Sequence, residues 1–198
     1  MNSANSHRLC VFCGSGKGIK ESYAESARTL GATLVRRGFG LVYGGGQVGL
    51  MGILADAVLE NSGEVTGVIP KSLALKEVAH QGLTKLYVVA TMHERKAMMA
   101  ELSEGFIALP GGLGTFEEFF EVLTWAQLGL HQKPLGVLNV EGYFDPLLAL
   151  IDHATNEGFI RPEHRHLLLT SRQPEDLLDQ LATYHPSVLP KWIGRDEI

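Results

Sequence analysis

Short apolar runs alternate with longer segments of helical spacing along most of the chain. Leu9–Phe12, Gly40–Tyr43, Val65–Ile69, Leu86–Val89, Phe106–Leu109 and Leu135–Val140 are apolar, bounded by turn residues, and read as strands. Between them Glu21–Arg37, Val48–Asn61, Met92–Ser103 and Phe116–Gly129 read as helices; in the first, Tyr23, Ala27, Leu30 and Leu34 recur on one face. Strands this uniformly apolar are buried on both sides, which requires helices on both faces of a mostly parallel sheet. The pattern predicts a doubly wound α/β fold, Rossmann-like. Beyond Val140 it turns helical, over Tyr143–Asn156 and Pro174–Tyr184, with a charged surface turn at Arg161–Arg165 between them. One domain over 8–184 is expected, with tails at 1–7 and 185–198.

At 198 residues, 45% of them hydrophobic and 20% charged, the chain can bury a full core without staples. A net charge of −5 and the lack of long basic runs argue against a nucleic-acid partner, though a local positive pocket could still hold a small anion. No stretch approaches the ~20 apolar residues of a membrane span, and the polar start does not resemble a signal peptide.

Cys10 and Cys13 form a C-x-x-C, but within a strand residues three apart face opposite sides, which disfavours a shared metal or a disulfide. With no second pair, they read as reduced core thiols in a cytoplasmic protein. His164 and His166 lack zinc spacing, and no metal or cofactor is expected.

Glycine, 23 of 198 residues, is concentrated in three loops. Cys13-Gly14-Ser15-Gly16-Lys17-Gly18 follows the first strand, Gly44-Gly45-Gly46-Gln47-Val48-Gly49 the second, and Pro110-Gly111-Gly112-Leu113-Gly114-Thr115 the run ending at Leu109. Each alone could be a tight turn. In a parallel sheet, however, all three lie at the carboxyl ends of strands, where backbone amides and helix N-termini receive phosphates. Gly44–Gly49 matches the dinucleotide fingerprint, but no strand-end carboxylate follows at the expected distance, since Glu64 precedes its strand. Walker A is absent. A mononucleotide or phosphosugar fits best.

Glu117, Glu118 and Glu121 follow the third loop, more carboxylates than complementing a helix dipole requires. Beside a bound anion they need a balancing cation, and Arg95 and Lys96, at the unfavourable end of the preceding helix, are the candidates. A phosphate cradle, a carboxylate and a guanidinium at one sheet edge suit cleavage of a glycosidic bond to 5-phosphoribose, whose oxocarbenium-like centre an ionised carboxylate stabilises.

Met92-His93-Glu94-Arg95-Lys96, followed by Pro110-Gly111-Gly112-Leu113-Gly114-Thr115-Phe116-Glu117-Glu118, resembles the M-H-x-R-K and P-G-G-x-G-T-x-x-E signature of the Lonely Guy family. Val11–Ser15 and Tyr43–Gly52 are similar to that family's first two loops, and the likeness runs from about Arg8 to Gln180. It implies a phosphoribohydrolase that releases the base from an N6-substituted adenosine 5′-monophosphate, and often from AMP. It further implies catalytic roles for Arg95 and Glu118, and nucleotide contacts from Glu77, Lys96, the loop residues Gly111, Gly112, Leu113, Gly114, Thr115 and Phe116, then Glu117 and Thr124. A homodimer with active sites near the interface is also implied. Only Gly16-Lys17-Gly18 departs from the family's serine- and proline-rich first loop. Such proteins are often described as lysine decarboxylases; that chemistry needs pyridoxal phosphate on a lysine, and no lysine here stands out for it.

Two other readings remain open at this point. A nucleotide-sensing module would need the loops but not Glu118, and a nicotinamide oxidoreductase rests on Gly44–Gly49 alone. Phe116, Phe119, Phe120, Leu123 and Trp125 give one helix more apolar surface than a single sheet face requires, which leaves some for a second subunit.

Overall fold

The computed structural model describes residues 7–74 and 79–186. Its strands are β1 (Arg8–Phe12), β2 (Gly40–Tyr43), β3 (Val65–Pro70), β4 (Lys85–Val89), β5 (Gly105–Ala108), β6 (Leu135–Leu138) and β7 (Leu168–Ser171). All pair in parallel, in the order β4-β3-β2-β1-β5-β6-β7. The chain winds outward from β1 to one edge and then crosses back to β5 on the other side of β1. β1 and β5 therefore flank the point where winding reverses, the place where such sheets open a ligand crevice.

The helices are α1 (Glu21–Arg36), α2 (Gly49–Glu60), a one-turn α3 (Lys71–Ala74), α4 (Met92–Glu101), α5 (Leu113–Gln127), α6 (Asp145–Asn156), a one-turn α7 (Pro162–Arg165) and α8 (Pro174–Ala182). α1, α2 and α8 cover one face, where Leu30, Leu34, Leu54, Val58 and Leu177 meet Leu9, Val11, Leu41 and Tyr43. On the other face Met99, Phe119, Val122, Phe144 and Ile151 meet Cys10, Phe12, Phe106 and Val137, with the Phe12 and Phe106 rings stacked 6.1 Å apart. Helix cover on both faces is the doubly wound arrangement that the apolar strands require.

Strand alternation puts Cys10 in the second core and Cys13 in the first, so the two thiols lie on opposite sides of the sheet. Burial pushes both thiols up, and the negative charge of Glu118 adds to the effect. Since the thiolate is the nucleophile, neither cysteine should react with iodoacetamide in the native protein faster than the chain unfolds. Both should label readily in denaturant, and mass spectrometry counts them.

Several boundaries depart from expectation. α5 begins at Leu113 and not at Phe116, because the first helical turn makes few internal amide bonds and tolerates Gly114, which in a helix interior would cost about 1 kcal/mol. α4 ends at Glu101, and β6 at Leu138, where Val140–Gly142 forms a 3-10 turn. The surface turn expected at Arg161–Arg165 is the short helix α7. β7 went unread because it is four residues long, polar at its end and only partly buried on the sheet edge.

Candidate active site

The three glycine loops lie behind the adjacent strands β2, β1 and β5 and interlock backbone on backbone. The Gly14 amide donates to the Pro110 carbonyl at 3.1 Å, and the Leu50 amide to the Gly14 carbonyl at 3.0 Å. This approach leaves no room for side chains at two points. A Cβ on Gly49, which has a φ of +62°, would lie 2.2 Å from the Ser15 carbonyl, and one on Gly111 would lie 2.1 Å from Thr115 Oγ1. The glycines thus fuse the loops into one floor.

At the rim of that floor stands the N-terminus of α5. Gly112 precedes its first turn, and no side chain caps it. Gly112, Leu113 and Gly114 are exposed, whereas Thr115 is buried beneath them against Gly111. Exposed first-turn amides at the positive end of a helix dipole favour an anion. Phe116 is half-buried and packs near-parallel to Tyr143 at 6.5 Å. The Tyr143 hydroxyl donates to the Gly111 carbonyl at 2.5 Å, propping the third loop from behind. Sequence reasoning missed this residue; the positive φ values at Glu141 and Gly142 that aim it leave only one glycine as a signal. Tyr143→Phe is expected to lower the unfolding free energy by about 1 kcal/mol, read by thermal or urea denaturation.

Arg95, on the second turn of α4, is buried at 6% exposure. Its Nε donates to the Val68 carbonyl at 3.1 Å and its Nη2 to the Gly44 carbonyl at 3.2 Å, which fixes the guanidinium plane above the ends of β2 and β3. Its Nη1 lies 3.7 Å from Glu118 Oε1, and that carboxylate is itself only 12% exposed. An ion pair sheltered this well is far less screened than one on the surface. α4 and α5 thus bring Arg95 and Glu118 together, as the sequence led us to expect.

Lys96 lies between two carboxylates. Its Nζ is 2.5 Å from Glu117 Oε1 and 3.0 Å from Glu121 Oε1. Burial alone would lower the ammonium's pKa, but hydrogen bonds to Glu117 and Glu121 outweigh it and raise the value, so Lys96 remains charged. In the structure its ammonium cross-links α4 and α5. Thr124, one turn beyond Glu121, is exposed and donates its hydroxyl to the Phe120 carbonyl of its own helix at 2.7 Å. Glu77 lies outside the described residues.

A separate cavity of about 520 Å³ opens between α1, the Val140–Gly142 turn and the start of α8. Glu25, Glu141 and Asp145 line it against the single cation Arg172, a balance that disfavours a phosphate.

The chain is similar to several known proteins. A family model described as "Possible lysine decarboxylase" matches residues 51–181. The cytokinin riboside 5′-monophosphate phosphoribohydrolase LOG1 of Arabidopsis thaliana is 51% identical over 179 residues, covering 90% of this chain and 84% of that protein. The probable phosphoribohydrolase of the same kind LOGL2 of Oryza sativa subsp. japonica is also 51% identical, covering 90% of this chain and 73% of that protein. Among solved structures, a molybdenum cofactor binding protein of Rippkaea orientalis has a TM-score of 0.67 at 20% identity, covering 90% of this chain and 96% of its own. The molybdenum cofactor carrier protein of Chlamydomonas reinhardtii has a TM-score of 0.67 at 18% identity, covering 90% and 99%. At that identity these two share the fold alone. With half of its residues matched over nine-tenths of its length, the chain belongs to the Lonely Guy family.

Proposed function

We propose that the chain hydrolyses the N-glycosidic bond of a purine nucleoside 5′-monophosphate, giving the free base and ribose 5-phosphate. The observation that carries this reading is the sheltered Arg95–Glu118 pair beside an uncapped helix N-terminus. The 5′-phosphate binds the first-turn amides of α5 across Gly112–Thr115, with Gly111 keeping the floor beneath it open. Binding there anchors the ribose with C1′ toward Glu118. As the bond from C1′ to the base nitrogen breaks, positive charge grows on the ribose and the Glu118 carboxylate stabilises it while orienting water. The hydroxyl of that water goes to C1′ and its remaining proton to the departing base. Arg95 holds Glu118 in place and offers Nη1 to ribose or phosphate oxygens. Phe116, Glu117, Lys96 and Thr124 contact the nucleotide at the edges of the cleft, and the resemblance assigns a further nucleotide contact to Glu77. N6-substituted cytokinin nucleotides are the proposed substrates, given that the named relatives are cytokinin riboside 5′-monophosphate phosphoribohydrolases. AMP, which shares the purine, ribose and 5′-phosphate, is proposed beside them.

The domain at work spans 8–184, and we take it to act in the cytoplasm as a homodimer. Among the described residues no helix is long and apolar enough to cross a membrane. The homodimer is what the resemblance to the Lonely Guy family implies. Light scattering should give twice the chain's 21.6 kDa mass.

The anchoring role of the phosphate is tested by comparing AMP with adenosine. Remote binding energy lost with the phosphate should lower kcat/KM by about 10²-fold or more. Adenosine turned over as well as AMP would contradict the assignment of the α5 N-terminus.

A further inference from the structure

We propose that Asp56 and His80 are positioning residues for Arg95, acting through the second glycine loop; the proposal rests on the hydrolase reading above. His80 is buried at 6% exposure, and its backbone amide and both ring nitrogens are engaged near that loop. Its backbone amide donates to the Gly45 carbonyl at 3.0 Å, beside an antiparallel bridge between Gly46 and Ala79. Its Nδ1 accepts the Gly82 amide at 3.0 Å, which leaves the ring proton on Nε2. Nε2 then donates to Asp56 Oδ1 at 2.9 Å.

Asp56 stands on α2, the helix that the same glycine loop opens. The connections therefore close a ring, from the loop through α2 to Asp56, to His80 and back to Gly45. A ring of this kind fixes the loop far more tightly than its glycines would on their own, since glycine is the residue with most backbone freedom to lose. The consequence for catalysis lies one residue away. The Gly44 carbonyl is one of two backbone acceptors that hold the Arg95 guanidinium, the other being Val68. If Gly44 shifts, Arg95 must either lose that bond or leave Val68, and in both cases its approach to Glu118 changes. An ordinary buried histidine would stabilise its own segment; this one ties its segment to the carbonyl row that aims Arg95.

The test uses the full chain with AMP as substrate and the variants Asp56→Ala and Asp56→Asn. Asp56 is more than half exposed, so neither variant opens the core. Asp56→Ala should lower kcat about tenfold through misplacement of Arg95, with KM changed by no more than about twofold. Asp56→Asn, whose amide oxygen still accepts from His80 Nε2, should restore most of kcat. Hydrogen exchange provides a readout independent of turnover: amides of 44–49 should exchange faster in Asp56→Ala and at the wild-type rate in Asp56→Asn. A wild-type kcat in Asp56→Ala, or a loss in Asp56→Asn as large as in Asp56→Ala, would overturn the proposal. If the wild-type protein releases base neither from AMP nor from isopentenyladenosine 5′-monophosphate, the hydrolase reading fails. In that case unchanged exchange at 44–49 in Asp56→Ala overturns the positioning role as well.

Discussion

Glu118→Gln should abolish measurable base release from AMP, lowering kcat by about 10³-fold, because it removes the negative charge that faces the developing cation at C1′. Glutamine keeps the size of glutamate, and the helix around it is held by Phe119 and Val122 in the core, so the fold should not change. Affinity for AMP should stay within a few-fold of wild type by calorimetry, since the proposed phosphate site is the backbone amides of α5 and not this side chain. Loss of turnover with binding retained is the signature of a group that acts in the transition state. It also separates an enzyme from a nucleotide sensor. A sensor has no use for Glu118, and in that case the wild-type protein would bind AMP and leave it intact.

Gly44→Ala is expected to have the second-largest effect, although the added group is one methyl. A Cβ at Gly44 would fall 1.9 Å from Arg95 Nη2 and 3.1 Å from its Cζ. The guanidinium cannot slide away at little cost, because it is buried and Nε is bonded to the Val68 carbonyl. It must tilt off Glu118 instead. Misplacement of a catalytic group on this scale costs about 10²-fold in kcat. Gly16→Ala is the matched control, since a Cβ there meets nothing within 4 Å and should leave kcat unchanged. Wild-type turnover in Gly44→Ala would mean that the orientation of Arg95 does not limit the reaction.

The contrast between these two glycines shows where the sequence is silent. Clusters of glycine after apolar runs were enough to locate the crevice, because the winding of a parallel sheet puts every such loop at one edge. They could not tell which glycine faces a guanidinium and which faces solvent. Chemistry narrowed the choice to the carboxylates Glu117, Glu118 and Glu121 and the cations Arg95 and Lys96, since a carboxylate beside an anion site calls for a cation. The choice of Arg95 and Glu118 among them came from the resemblance to the Lonely Guy family. That Arg95 is buried, with two backbone carbonyls as partners, was not legible, since the Val68 and Gly44 carbonyls lie 27 and 51 residues away and carry no side-chain signature. Lys96 illustrates the same limit. Its place beside Arg95 pointed to a nucleotide contact and gave no sign that its ammonium also bridges Glu117 and Glu121, an arrangement fixed only when α4 and α5 dock.

Local pattern also failed where local preference and tertiary need diverge. Gly114 looks like loop and lies in the first turn of a helix, where few amides have internal partners and glycine costs little. β7 has too few apolar residues to be recognised, yet β6 offers it an open edge and pairs it from Leu135 to Leu138. Tyr143 and His80 hold two of the three loops and read in sequence as an aromatic at a helix start and a histidine in a connection. Neither carries periodicity, and each is recognisable only by the carbonyl or amide it meets.

The central claim is that this fold cleaves the bond between C1′ and a purine, and one measurement tests it most directly. Purified wild-type protein is incubated with AMP, and in parallel with isopentenyladenosine 5′-monophosphate, and both products are quantified by chromatography over time. The account predicts free base and ribose 5-phosphate in equal amounts from at least one of the two nucleotides. A nucleotide that binds yet stays intact in both incubations, or one that loses phosphate and keeps its base, would contradict it.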